Sequence, residues 1–242
     1  MDFDPIRAEA DGRRPAGISG EVAALFPSSF DNVGDPDVPS GWRVGKFAEL
    51  ATISREAVNP SEFPNETCDH YSIPAFDEGR EPVSELGVAI KSNKFVIGAD
   101  VVLLSKLNPR IPRIWMPEIG STQRAICSTE FLVLRPTAVS REYLYGLCSS
   151  EFFLQEFATM VTGTSGSHQR VKPEFLEGME VVVPDNKIVR RYTELVAPLH
   201  RRITVNLRES HILVALRDTL LPKLLSGEVR VKQAERAMEA AL

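Results

Sequence analysis

The chain has 242 residues, 43% of them apolar, and a formal net charge of −5, which is enough apolar material for one large domain with a core and excludes a uniformly basic surface. Its three cysteines, Cys68, Cys127 and Cys148, are odd in number and form no C-x-x-C pair, a pattern that excludes a disulfide framework and a zinc site and fits a reducing setting. No apolar run reaches the roughly 18 residues of a membrane span, and the acidic start Met1-Asp2-Phe3-Asp4 is unlike a signal peptide, so a soluble, cytoplasmic protein is expected.

In chain order, residues 1–40 are rich in Pro, Gly, Asp and Ser and hold Asp2, Asp4, Glu9, Asp11, Glu21, Asp31, Asp35 and Asp37 against Arg7, Arg13 and Arg14. This acidic stretch supplies the whole net charge and reads as a loosely docked connector with one short helical candidate around Glu21 to Phe26. From Gly41 onward, short apolar runs punctuated by Pro and Gly predict strands at 95–97, 100–105, 131–134 and 179–183. Within 91–113, Lys91, Lys94, Lys106, Arg110 and Arg113 face only Asp100 in sequence, which raises the expectation of a basic surface. Trp115 is expected to pack. Between the last two strands, Leu144, Leu147, Cys148, Leu154, Phe157 and Val161 recur at three- and four-residue steps and predict one amphipathic helix over 141–161, stopped at Gly163.

After Pro184 the stripe Ile188, Tyr192, Leu195, Leu199, Ile203, Asn206, Leu213, Leu216, Leu220 and Leu224 predicts one long helix. At about 1.5 Å per residue its forty residues would extend roughly 60 Å, more than a domain of about 140 residues can cover, so part of the stripe should meet a partner. Pro198 predicts a kink or break near Val196 and Ala197, and polar Asn206 and Ser210 resemble the interruptions that set coiled-coil register. The expected fold class is α+β: a globular mixed α/β domain followed by a long C-terminal helix.

Motifs for catalysis fail one by one. Gly41-Trp42-Arg43-Val44-Gly45-Lys46 is one residue short of a Walker loop, and Phe47 stands where a magnesium-binding hydroxyl is needed. Asn59-Pro60 and Asn108-Pro109 lack the second proline of an amine-methyltransferase motif. Asp185-Asn186-Lys187 has a nuclease-like D-x-K form at a strand-to-helix junction, where an Asp N-cap is expected. The histidines His70, His168, His200 and His211 show no ligand spacing, and the sequon Asn65-Glu66-Thr67 is read as a chance match. No catalytic, cofactor-binding or metal residue is therefore assigned.

Two loops carry donors for a polyanion. In 163–172, Ser165, Ser167, His168, Gln169, Arg170 and Lys172 combine hydroxyls, an amide and cations with two glycines that allow close backbone approach. In 105–113, Lys106, Asn108, Arg110 and Arg113 sit on a turn stiffened by Pro109 and Pro112, which lowers the ordering cost of binding. These ten residues are the candidate DNA contacts. The 163–172 loop reads equally well as a polar connection between the helix and the next strand.

The stretches GADVVLLSKLNPR (98–110), STEFLVLRP (128–136), GTSGSHQRVKP (163–173) and LRDTLLPKLLSGEVRV (216–231), in this order, resemble the specificity subunit of type I restriction-modification systems. VPSGW (38–42) is similar to the start of its target-recognition domain, and 2–27 to the connector before a second such domain. The resemblance implies a connector at 1–40, a DNA target-recognition domain at 41–184 and a helical spacer at 185–242. It implies double-stranded DNA, modification (methyltransferase) subunits and restriction subunits as partners, with S-adenosylmethionine and ATP/Mg on those subunits and none here. With one recognition domain and one spacer helix, the chain is expected to be a half subunit, able to pair antiparallel with a second copy through the helix. Base specificity is expected in 55–95, with Asn59, Asn65, His70, Tyr71, Arg80 and Lys91 as candidates. The rival expectations are an interaction protein that titrates modification subunits without reading DNA, and an enzyme with a cryptic centre.

Overall fold

The computed structural model describes residues 5–13, 17–31, 38–120, 122–162 and 169–229. The chain divides into two compact units between Leu195 and Val196. The first is a mixed α/β unit, and the second is carried by the C-terminal part of one long helix.

Strands Val102–Ser105 and Phe131–Pro136 form the centre of a four-stranded antiparallel sheet, with Ile114–Trp115 outside the first and Ala51–Ser54 outside the second. Their apolar runs are nearly continuous because both faces are covered. Alternating side chains send Val102, Leu104, Leu132 and Leu134 into one core, and Leu103, Phe131 and Val133 into another. The first core is filled by Phe47, Leu144, Phe153, Phe157 and Leu176 from helical segments. The second is shared with a five-stranded sheet in the order 57–58, 94–96, 124–128, 67–71, 83–86, where Arg124–Ser128 runs parallel to Thr67–Tyr71. Trp115 packs there as expected, against Tyr71, Phe76 and Phe131.

The helix expected over 141–161 is two helices, Arg141–Ser149 and Glu151–Thr159. Ser150 is extended between them (φ −70°, ψ 146°), and its hydroxyl accepts from the Phe153 N–H (3.3 Å) while donating to the Leu147 carbonyl (2.8 Å). One residue thus ends the first helix and caps the second. The break shifts the apolar register: Leu144 and Cys148 are followed by Phe153 and Phe157 in the core, leaving Phe152 48% exposed. Val161 belongs to a short strand, Val161–Thr162, and Gly163 lies outside the described residues.

The N-terminal segment carries more structure than an extended connector. It holds helices Pro5–Ala10 and Gly20–Ala23, the latter capped by Ser19, and a ladder of Phe30–Asp31 with Val38–Pro39. Ile6 and Ala23 are buried.

Glu180–Val183, the last strand before the long helix, pairs antiparallel with Arg43–Lys46. There Asp185 accepts from the Lys187 N–H at 2.7 Å, the N-cap read from the sequence. The long helix Asn186–Leu225 follows, 40 residues that run unbroken through Pro198 and Pro222. Of the kink or break expected near Val196 and Ala197, a break does not occur, since the helix is continuous there; the two units divide between Leu195 and Val196. Only Ile188 and Val189 of this helix are buried, while Leu199, Ile203, Leu213, Leu216 and Leu220 are exposed. No described helix is long and apolar enough to cross a membrane.

Burial also sets a titration. His70 Nδ1 lies 2.6 Å from Glu85 Oε2, its buried Nε2 has no hydrogen-bond partner among the described residues, and burial holds its pKa below the ordinary 6.5, with the Glu85 carboxylate opposing. The unfolded chain therefore binds the proton first as pH falls, so stability should decline from about pH 6.5 down to the lowered native value and then level off. Asp77 and Glu49 have lowered pKa values and act only in the carboxylate range. Denaturant midpoints between about pH 7 and pH 5 should thus fall for the parent chain and flatten for His70→Gln.

Candidate nucleic-acid interface

The first candidate loop is the tip of a hairpin. Strands Val102–Ser105 and Ile114–Trp115 pair with Leu104 opposite Ile114, and the Ser105 N–H donates to the Arg113 carbonyl (2.9 Å) to close the base. Inside the tip, the Leu107 N–H donates to the Ser105 hydroxyl oxygen (3.2 Å) and the Ile111 N–H to the Asn108 carbonyl (2.8 Å). Asn108 takes φ +48°, a left-handed conformation that asparagine tolerates better than most residues, and so turns the chain.

The second candidate loop is docked directly onto the first. Its return strand Arg170–Val171 pairs with Val161–Thr162 on one side. On the other, the Asn108 N–H donates to the Gln169 carbonyl (2.9 Å) and the Val171 N–H to the Lys106 carbonyl (3.0 Å), with a bridge between Leu107 and Arg170. The two donor-rich segments, some 60 residues apart in sequence, are therefore one hydrogen-bonded surface. The turn before Phe131 joins it, because the Lys106 N–H donates to the Glu130 carbonyl at 2.9 Å.

The cations divide into two kinds. Arg170 grips Glu130 with both arms, Nε to Oε2 at 2.9 Å and Nη2 to Oε1 at 3.0 Å, and this carboxylate raises its pKa further. Arg113 grips Asp77 in the same way at 2.7 and 2.8 Å, with its side chain only 11% exposed. Both hold the loops in place. Lys106, Arg110 and Lys172 form no ion pair among the described residues. Arg110 and Lys172 are exposed, and the Lys172 ammonium lies 5.8 Å from the Phe175 ring centroid. Gln169 is half-buried, and Asn108 turns a buried Oδ1 inward. Ser165, Ser167 and His168 lie outside the described residues.

Glu130 and Asp77 were missed in the sequence. Glu130 sits inside a quoted motif but beside no cation, 40 residues from Arg170, and Asp77 is 36 residues from Arg113. Because Glu130 already neutralises Arg170, counterion release on binding DNA should be smaller there than at Arg110. Salt titration of duplex binding should show Arg170→Ala flattening the slope less than Arg110→Ala; equal flattening would mean that Arg170 leaves Glu130 for phosphate.

The expected basic surface over 91–113 is not one surface. Lys94 is buried, donates to the Ser92 hydroxyl (2.7 Å), and has its pKa lowered chiefly by burial. Of the residues considered for base reading, Tyr71 is corrected to a core residue, 2% exposed with its ring 4.7 Å from Trp115. Arg80 lies over the Phe76 ring, and Asn65 is exposed. Asn59 and Lys91 come together with Ser61 and Asn93 around a cavity of about 450 Å³. Among the described residues, no three or more His, Cys, Asp or Glu side chains group as a metal site.

No protein-family model matches this sequence. Over 208 residues it is 22% identical to the type I restriction enzyme MjaIX specificity subunit of Methanocaldococcus jannaschii, a match covering 82% of this chain and 47% of that protein. The crystal structure of the HsdS subunit from Thermoanaerobacter tengcongensis superposes with a TM-score of 0.57 at 25% identity, covering 78% of this chain and 49% of that one. The chain is a distant homologue of type I specificity subunits. The S subunit structure from M. genitalium, 12% identical with a TM-score of 0.53, shares the fold over 81% of this chain and 48% of its own. The chain spans about half the length of these relatives. Like them, it joins a mixed α/β unit to a long helix.

Proposed function

We propose that this chain is the DNA-recognition half of a cytoplasmic type I restriction-modification complex, reading one half of a bipartite target without catalysing chemistry itself. The observation that carries this reading is the docking of 106–113 onto 169–172 by the Asn108-to-Gln169 and Val171-to-Lys106 hydrogen bonds. A surface that presents Lys106, Arg110 and Lys172 without an ion pair among the described residues, while Arg113 and Arg170 brace it, suits a regularly spaced polyanion. Phosphate contacts fix register, and sequence is read by groups set beside them.

In this reading, 1–40 is a connector, 41–184 the recognition domain and 185–242 the spacer. Modification and restriction subunits supply methyl transfer and cleavage with S-adenosylmethionine and ATP/Mg. The exposed stripe of Leu199, Ile203, Leu213 and Leu220 serves as the seam for modification subunits and for an antiparallel second copy. A clean monomer by sedimentation at micromolar concentration would remove the homodimer.

The same stripe favours a second reading, an interaction protein that holds modification subunits without reading DNA. The test is enrichment of random duplexes by the chain assembled with a modification subunit. Recovery of one motif supports DNA recognition. Stable assembly with no motif hands the function to the interaction reading.

A further inference from the structure

Ile111 lies in the 106–113 hairpin, 51% exposed between exposed Arg110 and Pro112. A single exposed apolar residue is ordinary, so its support decides what it can do. That support is rigid. The Ile111 N–H is fixed to the Asn108 carbonyl, Asn108 is held in a left-handed turn and bonded to Gln169, and Pro109 is buried behind the tip. On the far side, Arg113 is locked to Asp77 by two bonds. An apolar tip held in this way loses little freedom on contact, and the adjacent, exposed Arg110, which forms no ion pair among the described residues, supplies a cation beside it.

Resting on the DNA-recognition reading above, we infer that Ile111 and Pro112 form an apolar wedge that enters a base step of the duplex while Arg110 holds a neighbouring phosphate. Isoleucine and proline are side chains that partly unstack a step and bend the helix. The cost of opening a step depends on its sequence and is lowest at pyrimidine–purine steps. The wedge would therefore add sequence preference through deformability, with no hydrogen bond to a base. A contact to one thymine methyl needs only a small apolar group, whereas two adjacent apolar residues flanked by a cation match an inserted edge.

The test uses duplexes enriched by the full chain with its modification subunit, labelled at both ends so that energy transfer reports bending. The parent complex should bend them. Ile111→Ala should lose the bend and about tenfold in affinity at an unchanged salt slope, and Ile111→Leu should retain both. Arg110→Ala should keep the bend and lower the salt slope by about one. Parent-like bending and affinity in Ile111→Ala would overturn the wedge. So would a penalty that vanishes when thymine is replaced by deoxyuridine, because it marks a methyl contact. If the parent complex enriches no sequence, the DNA-recognition reading falls and the wedge with it; enrichment with a silent Ile111→Ala removes the wedge alone.

Discussion

Replacing Lys106, Arg110 and Lys172 together by Ala should lower the slope of log affinity against log salt by about 3, since each neutralised phosphate contributes roughly 0.9. Between about 50 and about 200 mM salt, the parent complex should then lose roughly fortyfold more affinity than the variant. Among the described residues no carboxylate pairs with these three, in contrast to Arg113 with Asp77 and Arg170 with Glu130. None of their side chains is buried, so folding should be spared and the thermal midpoint should hold. A salt slope equal to that of the parent would show that the docked loops do not meet the backbone of DNA. A slope lowered by about 1 would leave a single phosphate contact among them.

The largest stability effect is expected at Phe131. Its ring is fully buried, lies 6.4 Å from Trp115, and fills the core between the four- and five-stranded sheets. Its backbone pairs with Ser105 at the base of the hairpin, one residue after Glu130. Phe131→Ala should cost about 3 to 5 kcal/mol, the sum of lost transfer energy and an unfilled cavity, and lower the thermal midpoint by roughly 10 °C. Loss of packing beneath Ser105 should also loosen the tip, so DNA binding should weaken at temperatures where the variant is still folded. Phe131→Leu keeps most of the volume and should cost less than half as much. Calorimetry on the three proteins checks the order; a Phe131→Ala midpoint within a degree or two of the parent would show that this core readily collapses around the gap.

How much of this was legible in the sequence depended on the distance over which each interaction acts. The 186–225 helix and its Asp185 cap were readable because a stripe with three- and four-residue steps and an adjacent Asp are local signals. Strand 131–136 was readable from its apolar run, although the sequence did not reveal that alternate residues feed two cores. The break at Ser150 was missed because the apolar steps on either side resemble one continuous stripe until Phe152 is seen to face out.

At the candidate interface, both loops were legible as donor-rich, stiff or glycine-bearing segments. Their docking was not, because Asn108 and Gln169 bond through backbone groups that every residue possesses. Charge counting misled for the same reason. Lys94 and Arg113 look like free cations in a linear window, yet one is buried against Ser92 and the other is clamped by an Asp from a distant helix. Long-range partners of this kind are what separate Arg113 and Arg170 from Lys106, Arg110 and Lys172, which form no ion pair among the described residues.

In the proposed reading, this chain directs a modification subunit to a DNA sequence. Methylation sequencing of DNA incubated with the chain, a modification subunit and S-adenosylmethionine tests it most directly. The expected result is methylated adenines confined to one bipartite motif, palindromic if two copies of the chain supply both halves, and lost with the Lys106, Arg110 and Lys172 triple variant. Methylation scattered without a motif by an assembled complex, or the same motif from modification subunit alone, would contradict it.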